Sequence, residues 1–153
     1  MAKAEGKRRK FLPVSSIDRD ILEVFPYRMK RVDFKEDGDS HCEIIEDNEA
    51  TILNQVVKYE TDELSALCPY SGLPDIAKLI VTYIPKNSVL ELKSFKYYLL
   101  SYREVGIYQE HLTQEIYKDL KIVLEPQFLE VETVYNIRGG IDTTCKISSK
   151  NNI

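Results

Sequence analysis

The chain has 153 residues, 43% hydrophobic and 30% charged, with a net charge of -4; that is one domain's worth of chain, able to bury a core without a disulfide or metal staple. Cys42, Cys68 and Cys145 are irregularly spaced and form no C-x-x-C pair, and no H-x-x-x-H pair exists, which excludes a disulfide framework and a zinc module. The apolar runs are too short to cross a bilayer and no signal stretch follows the charged start, so a reducing, cytoplasmic setting without a membrane partner is expected.

Along the chain, the first ten residues hold five bases (Lys3, Lys7, Arg8, Arg9, Lys10) against Glu5, a local charge of +4 that leaves -8 for the rest. This run reads as a solvated tail. A body this acidic offers no footprint for a duplex, so no direct nucleic-acid partner is expected. Asp33 to Glu49 is acidic, turns at Asp37-Gly38-Asp39, and reads as a connection into the core. Residues 1–49 are therefore set apart as an N-terminal extension, disordered in part over 1–10, and 50–153 as a single domain.

Thr51 to Tyr59, rich in Val and Ile with alternating polar positions, predicts the first strand. Two prolines and a glycine between Leu67 and Asp75 forbid a helix and predict a tight turn. Ile76 to Ile84 alternates again and is closed by Pro85 and Asn87; Val89 to Leu92 is a short extended piece. Phe95, Leu99 and Tyr102 fall at helical spacing within Lys93 to Glu104. Leu112, Ile116, Leu120 and Leu124 form an i, i+4 stripe that predicts a helix over Gln109 to Leu124, stopped by Pro126. Leu129 to Ile137 alternates apolar with polar, Gly139-Gly140 allows a turn, and Ile141 to Ile147 is a last strand. Strands outside and a helix pair between them predict an α+β fold, an antiparallel sheet covered by two helices on one face. The open sheet edges point to a homo-oligomer joined through the sheet.

Chemistry concentrates in the turn. Cys68 is followed seven residues later by Asp75, and the intervening Pro69, Gly72 and Pro74 can curve the chain so that thiol and carboxyl approach. A working thiol needs partial exposure and help reaching the thiolate, and a carboxyl group can serve it as an acid-base partner. On these residues alone the signal is weak, and an inert core thiol and a turn or cap aspartate are the more ordinary readings.

The run Leu67-Cys68-Pro69-x-Ser71-Gly72-x-Pro74-Asp75 resembles the active-site loop of the 7-cyano-7-deazaguanine reductases, the QueF nitrile reductases. Glu91-Leu92-Lys93-Ser94-Phe95-Lys96-Tyr97-Tyr98 is similar to that family's signature, Ser101-Tyr102-Arg103 and Glu110 to its helix junction, and Arg138-Gly139-Gly140 to its late R-G-G. Separated motifs in one order, over about residues 50–147, are more specific than any one alone. The short, single-copy layout resembles the unimodular branch.

The resemblance implies a tunnelling fold, with antiparallel sheets joined into an oligomeric barrel, pentamer-based or a decamer, and active sites at subunit interfaces. It implies that residues 50–153 are the catalytic domain and that Cys68 attacks the nitrile carbon to form a thioimide. Asp75 then protonates nitrogen, and two NADPH used in turn give the primary amine 7-aminomethyl-7-deazaguanine, in queuosine (tRNA modification) biosynthesis. Glu110 corresponds to the glutamate that anchors the purine-like nitrile substrate, and a carboxylate suits the adjacent N1-H and 2-amino donors of a deazaguanine. Leu90, Glu91 and Leu92 correspond to a segment contacting the base; Glu91 on its own could also be the acid at a helix N-terminus. Leu92-Lys93 and Arg138-Gly139 correspond to the segments holding NADPH; no G-x-G-x-x-G follows a strand, so a Rossmann site is not expected. Gln109 stands where many members carry His, and can hydrogen-bond the base but not shuttle a proton. Cys42 and Cys145 match no motif, His111 reads as an ordinary exposed side chain, and no metal is expected. Two alternatives share the fold or the pocket: the amidinotransferase branch, which lacks the NADPH signature, and a binding protein that retains the base pocket.

Overall fold

The computed structural model describes residues 17–27, 29–34, 40–44 and 55–150. The basic run Lys7-Arg8-Arg9-Lys10 and the start of the strand expected over Thr51 to Tyr59 lie outside them. A 3-10 turn (Arg19–Ile21) leads to β1 (Val24–Pro26), β2 (Met29–Phe34), β3 (Ser40–Ile44), β4 (Val57–Leu67), β5 (Pro74–Ile84) and β6 (Ser88–Leu90). Then come α1 (Leu92–Leu100), α2 (Gln109–Leu124), β7 (Phe128–Tyr135) and β8 (Thr144–Ser148). The main sheet is antiparallel in the order β4-β5-β7-β8. This is the expected α+β arrangement, with both helices on one face. No helix among the described residues is long and apolar enough to cross a membrane.

The inner face follows strand alternation. Ala77, Leu79, Val81 and Tyr83 of β5 and Leu129, Val131, Thr133 and Tyr135 of β7 are buried. They meet the Leu112, Ile116, Leu120 and Leu124 stripe of α2 together with Phe95, Tyr98 and Leu99 of α1. The outer face is laced by ion pairs. Lys58 and Lys78 meet Glu60 at 2.9 and 3.7 Å, and Lys146 meets Glu130 and Glu132 at 2.8 and 3.3 Å.

Several boundaries differ from the sequence reading. β4 runs to Leu67 through Glu60–Glu63, because a bulge between Thr61 and Leu64 exposes Asp62 and Glu63 in succession and resets the alternation. α1 ends at Leu100 rather than Glu104. Ser101 donates its hydroxyl to the Tyr98 carbonyl at 2.6 Å, and the chain then tightens into i to i+3 bonds at Tyr102, Arg103 and Val105. α2 has the expected bounds, closed by Glu125 in the left-handed region before Pro126. Part of the acidic stretch read as a connection is paired strand, with Asp33 opposite His41 and Phe34 opposite Ser40 in the antiparallel β2–β3 pair.

Residues 17–27 cross α1 as a strap. The Asp18 N–H donates to Ser101 Oγ at 3.3 Å and the Glu23 N–H to Ser94 Oγ at 2.9 Å. Leu22 enters the core, and β1 pairs with β6 with Val24 opposite Leu90.

Candidate active site

β4 delivers Cys68 into a loop closed on itself. The Cys68 N–H donates to the Leu73 carbonyl, and the Gly72 N–H to the Cys68 carbonyl, both at 2.8 Å. Gly72 sits at φ +68, a conformation that side chains rarely tolerate, so a glycine is required there. The loop's root is fixed from outside: the Leu67 N–H donates to the Val105 carbonyl at 2.9 Å, and the Ile107 N–H to the Leu67 carbonyl at 3.0 Å. Pro74 opens β5, a position where a missing N–H costs nothing, and Asp75 follows with its side chain buried.

A second hairpin approaches from across the sheet. The register that sets Ala77 opposite Tyr135 brings the end of β7 beside the start of β5. Beyond it, Arg138 and Ile141 bond each other's backbone around Gly139 (φ 57) and Gly140 (φ 77). Two positive φ values in a two-residue loop are the type I′ geometry that glycine pairs favour. From this tip Arg138 ion-pairs with the Asp75 carboxylate through Nη1 and donates to Ser71 Oγ at 3.4 Å through Nη2.

The thiol is thereby activated. Cys68 is partly exposed. Hydrogen bonds from the Ser71 hydroxyl, then from the Ser71 and Tyr70 backbone, then from Arg138, bring its pKa from 9.0 down to about 7. A large fraction is therefore thiolate at neutral pH. Cys145 is its opposite: burial, reinforced by the negative charge of Glu110, pushes that thiol up. Of the two, Cys68 is the one suited to act as a nucleophile.

Gln109 and Glu110 open α2 at this same end of the sheet. The Gln109 carbonyl accepts from the Thr113 hydroxyl at 2.9 Å and from the Tyr135 hydroxyl at 3.3 Å, while Glu110 is exposed in the first turn. Cys68, Asp75, Gln109, Glu110, Arg138 and Gly139 thus gather at one end of the molecule.

Leu90, Glu91, Leu92 and Lys93 do not join them. The Leu90 N–H donates to the Tyr83 hydroxyl at 3.2 Å. Tyr83 stands eight residues beyond Asp75 on β5, roughly 26 Å along the strand. Leu90 is buried, whereas Leu92 and Lys93 are exposed. Glu91 caps α1, accepting from the Lys93 N–H at 2.9 Å and the Ser94 N–H at 2.6 Å, and these bonds hold its carboxyl below the usual range. The structural reading of Glu91 is therefore realised in the chain.

A cavity of about 200 Å³ lies between Leu73–Ile76 and Asn136–Arg138. Ligand sites typically measure roughly 300–1,000 Å³, so this cleft is part of a site at most. The sequence reading did not single out Ser71 or the Arg138–Asp75 contact. A hydroxyl three residues after the cysteine, in a glycine turn, was a usable signal for Ser71; nothing local announced the Arg138 contact.

A model of the QueF-like protein family matches residues 74–152. The NADPH-dependent 7-cyano-7-deazaguanine reductases of Thermotoga petrophila and Thermotoga maritima are each 43% identical over 150 residues, covering 97% of this chain and 93% of theirs. The enzyme of the same name from Caldicellulosiruptor bescii is 42% identical over 141 residues, covering 92% of each chain. Among solved structures, the apo form of the archaeosine synthase QueF-Like is similar with a TM-score of 0.59 and 26% identity, covering 64% of this chain and 96% of that one.

Proposed function

The chain belongs to the QueF-like family, and from that premise we propose that it is an NADPH-dependent oxidoreductase that reduces the nitrile of 7-cyano-7-deazaguanine to a primary amine. The observation that carries the reading is a thiol lowered to about 7, on the loop whose other end supplies a buried carboxyl group. A nitrile accepts hydride poorly, and a thioimide accepts it better, which is the gain from covalent catalysis. The Cys68 sulfur forms a bond to the nitrile carbon, one π pair moves to nitrogen, and Asp75 passes nitrogen the proton that the thiol gives up. Bound NADPH would supply hydride, two molecules in turn; between the two reductions the carbon–sulfur bond breaks, returning the Cys68 thiolate and leaving an imine, and protons from solvent balance the hydrides to give 7-aminomethyl-7-deazaguanine, used in queuosine biosynthesis.

The remaining residues bind. Glu110 is exposed and offers two acceptor oxygens to the adjacent N–H donors of the base; Gln109 beside it supplies an amide. Arg138, Gly139 and Lys93 suit dinucleotide phosphates. A Cβ built on Gly139 or Gly140 meets nothing within 4 Å, so the backbone of that turn is open to a ligand.

Two observations support a homo-oligomer. The residues expected to serve one site sit at opposite ends of β5, and β4 and β8 are edge strands among the described residues. A second copy can therefore bring its Leu90–Lys93 segment to the Cys68 end of the first. A barrel built on pentamers and a cytoplasmic location complete this reading.

The test is substrate-dependent oxidation of NADPH, followed by its absorbance, together with intact-protein mass after mixing with the nitrile alone. Turnover and an adduct that maps to Cys68 are expected. Cys68→Ala loses both, and Asp75→Asn loses turnover while still binding the base. Full turnover by Cys68→Ala overturns the covalent mechanism; neither amine nor adduct from reduced wild type overturns the reductase reading.

A further inference from the structure

We propose that Arg138 is shared between Asp75 and the phosphates of the dinucleotide, so that cofactor binding draws the guanidinium off the carboxylate. The inference rests on the cofactor reading given above and adds a coupling between the two halves of the site. Its basis is an asymmetry within one ion pair. The Asp75 side chain is 4% exposed and fixed on β5, whereas Arg138 is 42% exposed at the tip of a glycine turn. Asp75 is the stationary partner and Arg138 the one free to swing.

In the structure, the guanidinium spends both terminal nitrogens on the Cys68 loop, Nη1 on Asp75 and Nη2 on Ser71. A phosphate clamped bidentately needs that same fork of donors. The carboxylate and the phosphate therefore compete for one cation. Competition of this kind is reciprocal: whatever weakens the Asp75 contact strengthens phosphate binding, by at most the same factor.

The experiment is calorimetric titration of the full chain with NADP+, which cannot turn over, at fixed ionic strength. Asp75→Asn is expected to tighten NADP+ binding about fivefold or more, and this gain is expected to vanish in the Arg138→Ala background. Equal tightening in both backgrounds means that the carboxylate's field acts without Arg138 and overturns the proposal, as does no tightening at all. Absence of NADP+ binding by folded wild type overturns the cofactor reading and this inference with it; binding without coupling overturns the inference alone. Should Asp75→Asn fail to fold, Ser71→Ala removes the other acceptor of the same guanidinium. It is expected to tighten binding about twofold, again only when Arg138 is present, and an unchanged Kd overturns the proposal.

Discussion

Replacing Ser71 by Ala isolates what makes Cys68 reactive. The Ser71 hydroxyl is the largest of the influences that lower the thiol from 9.0 to about 7, ahead of the Ser71 and Tyr70 backbone donors and the Arg138 side chain. It is held in place by the Leu73 N–H at 3.3 Å and by Arg138 Nη2 at 3.4 Å, both of which use its oxygen as acceptor and leave its proton available to the sulfur. Its removal is expected to raise the titration midpoint of Cys68 by roughly one pH unit. At pH 7 the thiolate fraction then falls from about one half to about one tenth, and alkylation slows about fivefold, less a modest offset because the more basic thiolate is the better nucleophile. The assay is the pH profile of iodoacetamide alkylation at Cys68, read by mass spectrometry. Above pH 9 the variant is expected to react at least as fast as wild type, and Ser71→Thr, which restores a hydroxyl, to return the midpoint. A midpoint that does not move, or a rate lowered by the same factor at every pH, would refute the reasoning. The first outcome leaves Ser71 without influence on the thiol, and the second makes its loss a structural defect.

Three further outcomes test the frame around the site. Tyr98→Phe removes the hydroxyl that donates to Asp119 at 2.7 Å and bonds Tyr102 at 2.8 Å in the core; about 1–3 kcal/mol of stability in urea unfolding is expected to go with it. Asp119 is pushed up by burial, so its protonated form is the one folding favours. Its contribution is present below the unfolded value near 3.8 and is lost as pH rises through the raised folded value. Stability measured across that window should fall with pH more steeply in wild type than in Asp119→Asn, and parallel profiles would contradict the assignment. Glu91→Gln exchanges the charged cap of α1 for a neutral one, with an expected loss of about 0.5–2 kcal/mol. Glu91 is held low, so its contribution is present above the unfolded value of 4.5 and lost as pH falls through the depressed folded value; the variant's deficit should therefore shrink in acid, as pH-dependent unfolding can show.

What could be read from the sequence follows from how local each determinant is. α2 carries its own evidence: a stripe from Leu112 to Leu124 and a proline just past its end act within one helix, so its bounds come out as expected. β4 hides its second half because the bulge at Asp62 and Glu63 breaks the period that betrays a strand. β1 is three residues long and ends in Pro26; it exists because β6 pairs with it and because Ser94, 71 positions later, receives the Glu23 N–H. The site divides in the same way. Cys68 and Asp75 share one constrained loop, so their motif stands out as a unit. Arg138 reaches Asp75 across 63 positions, and only the β5–β7 register decides that contact. Glu91 sits in a signature that also fits a helix cap, and the cap is what one chain displays. The separation of Glu91 from Cys68 is then fixed by the length of β5, which no side-chain rotation can close. If the two groups serve one reaction, as the proposed function has it, different copies of the chain must contribute them, and the spacing of the motifs is then a statement about assembly rather than about a pocket within one chain.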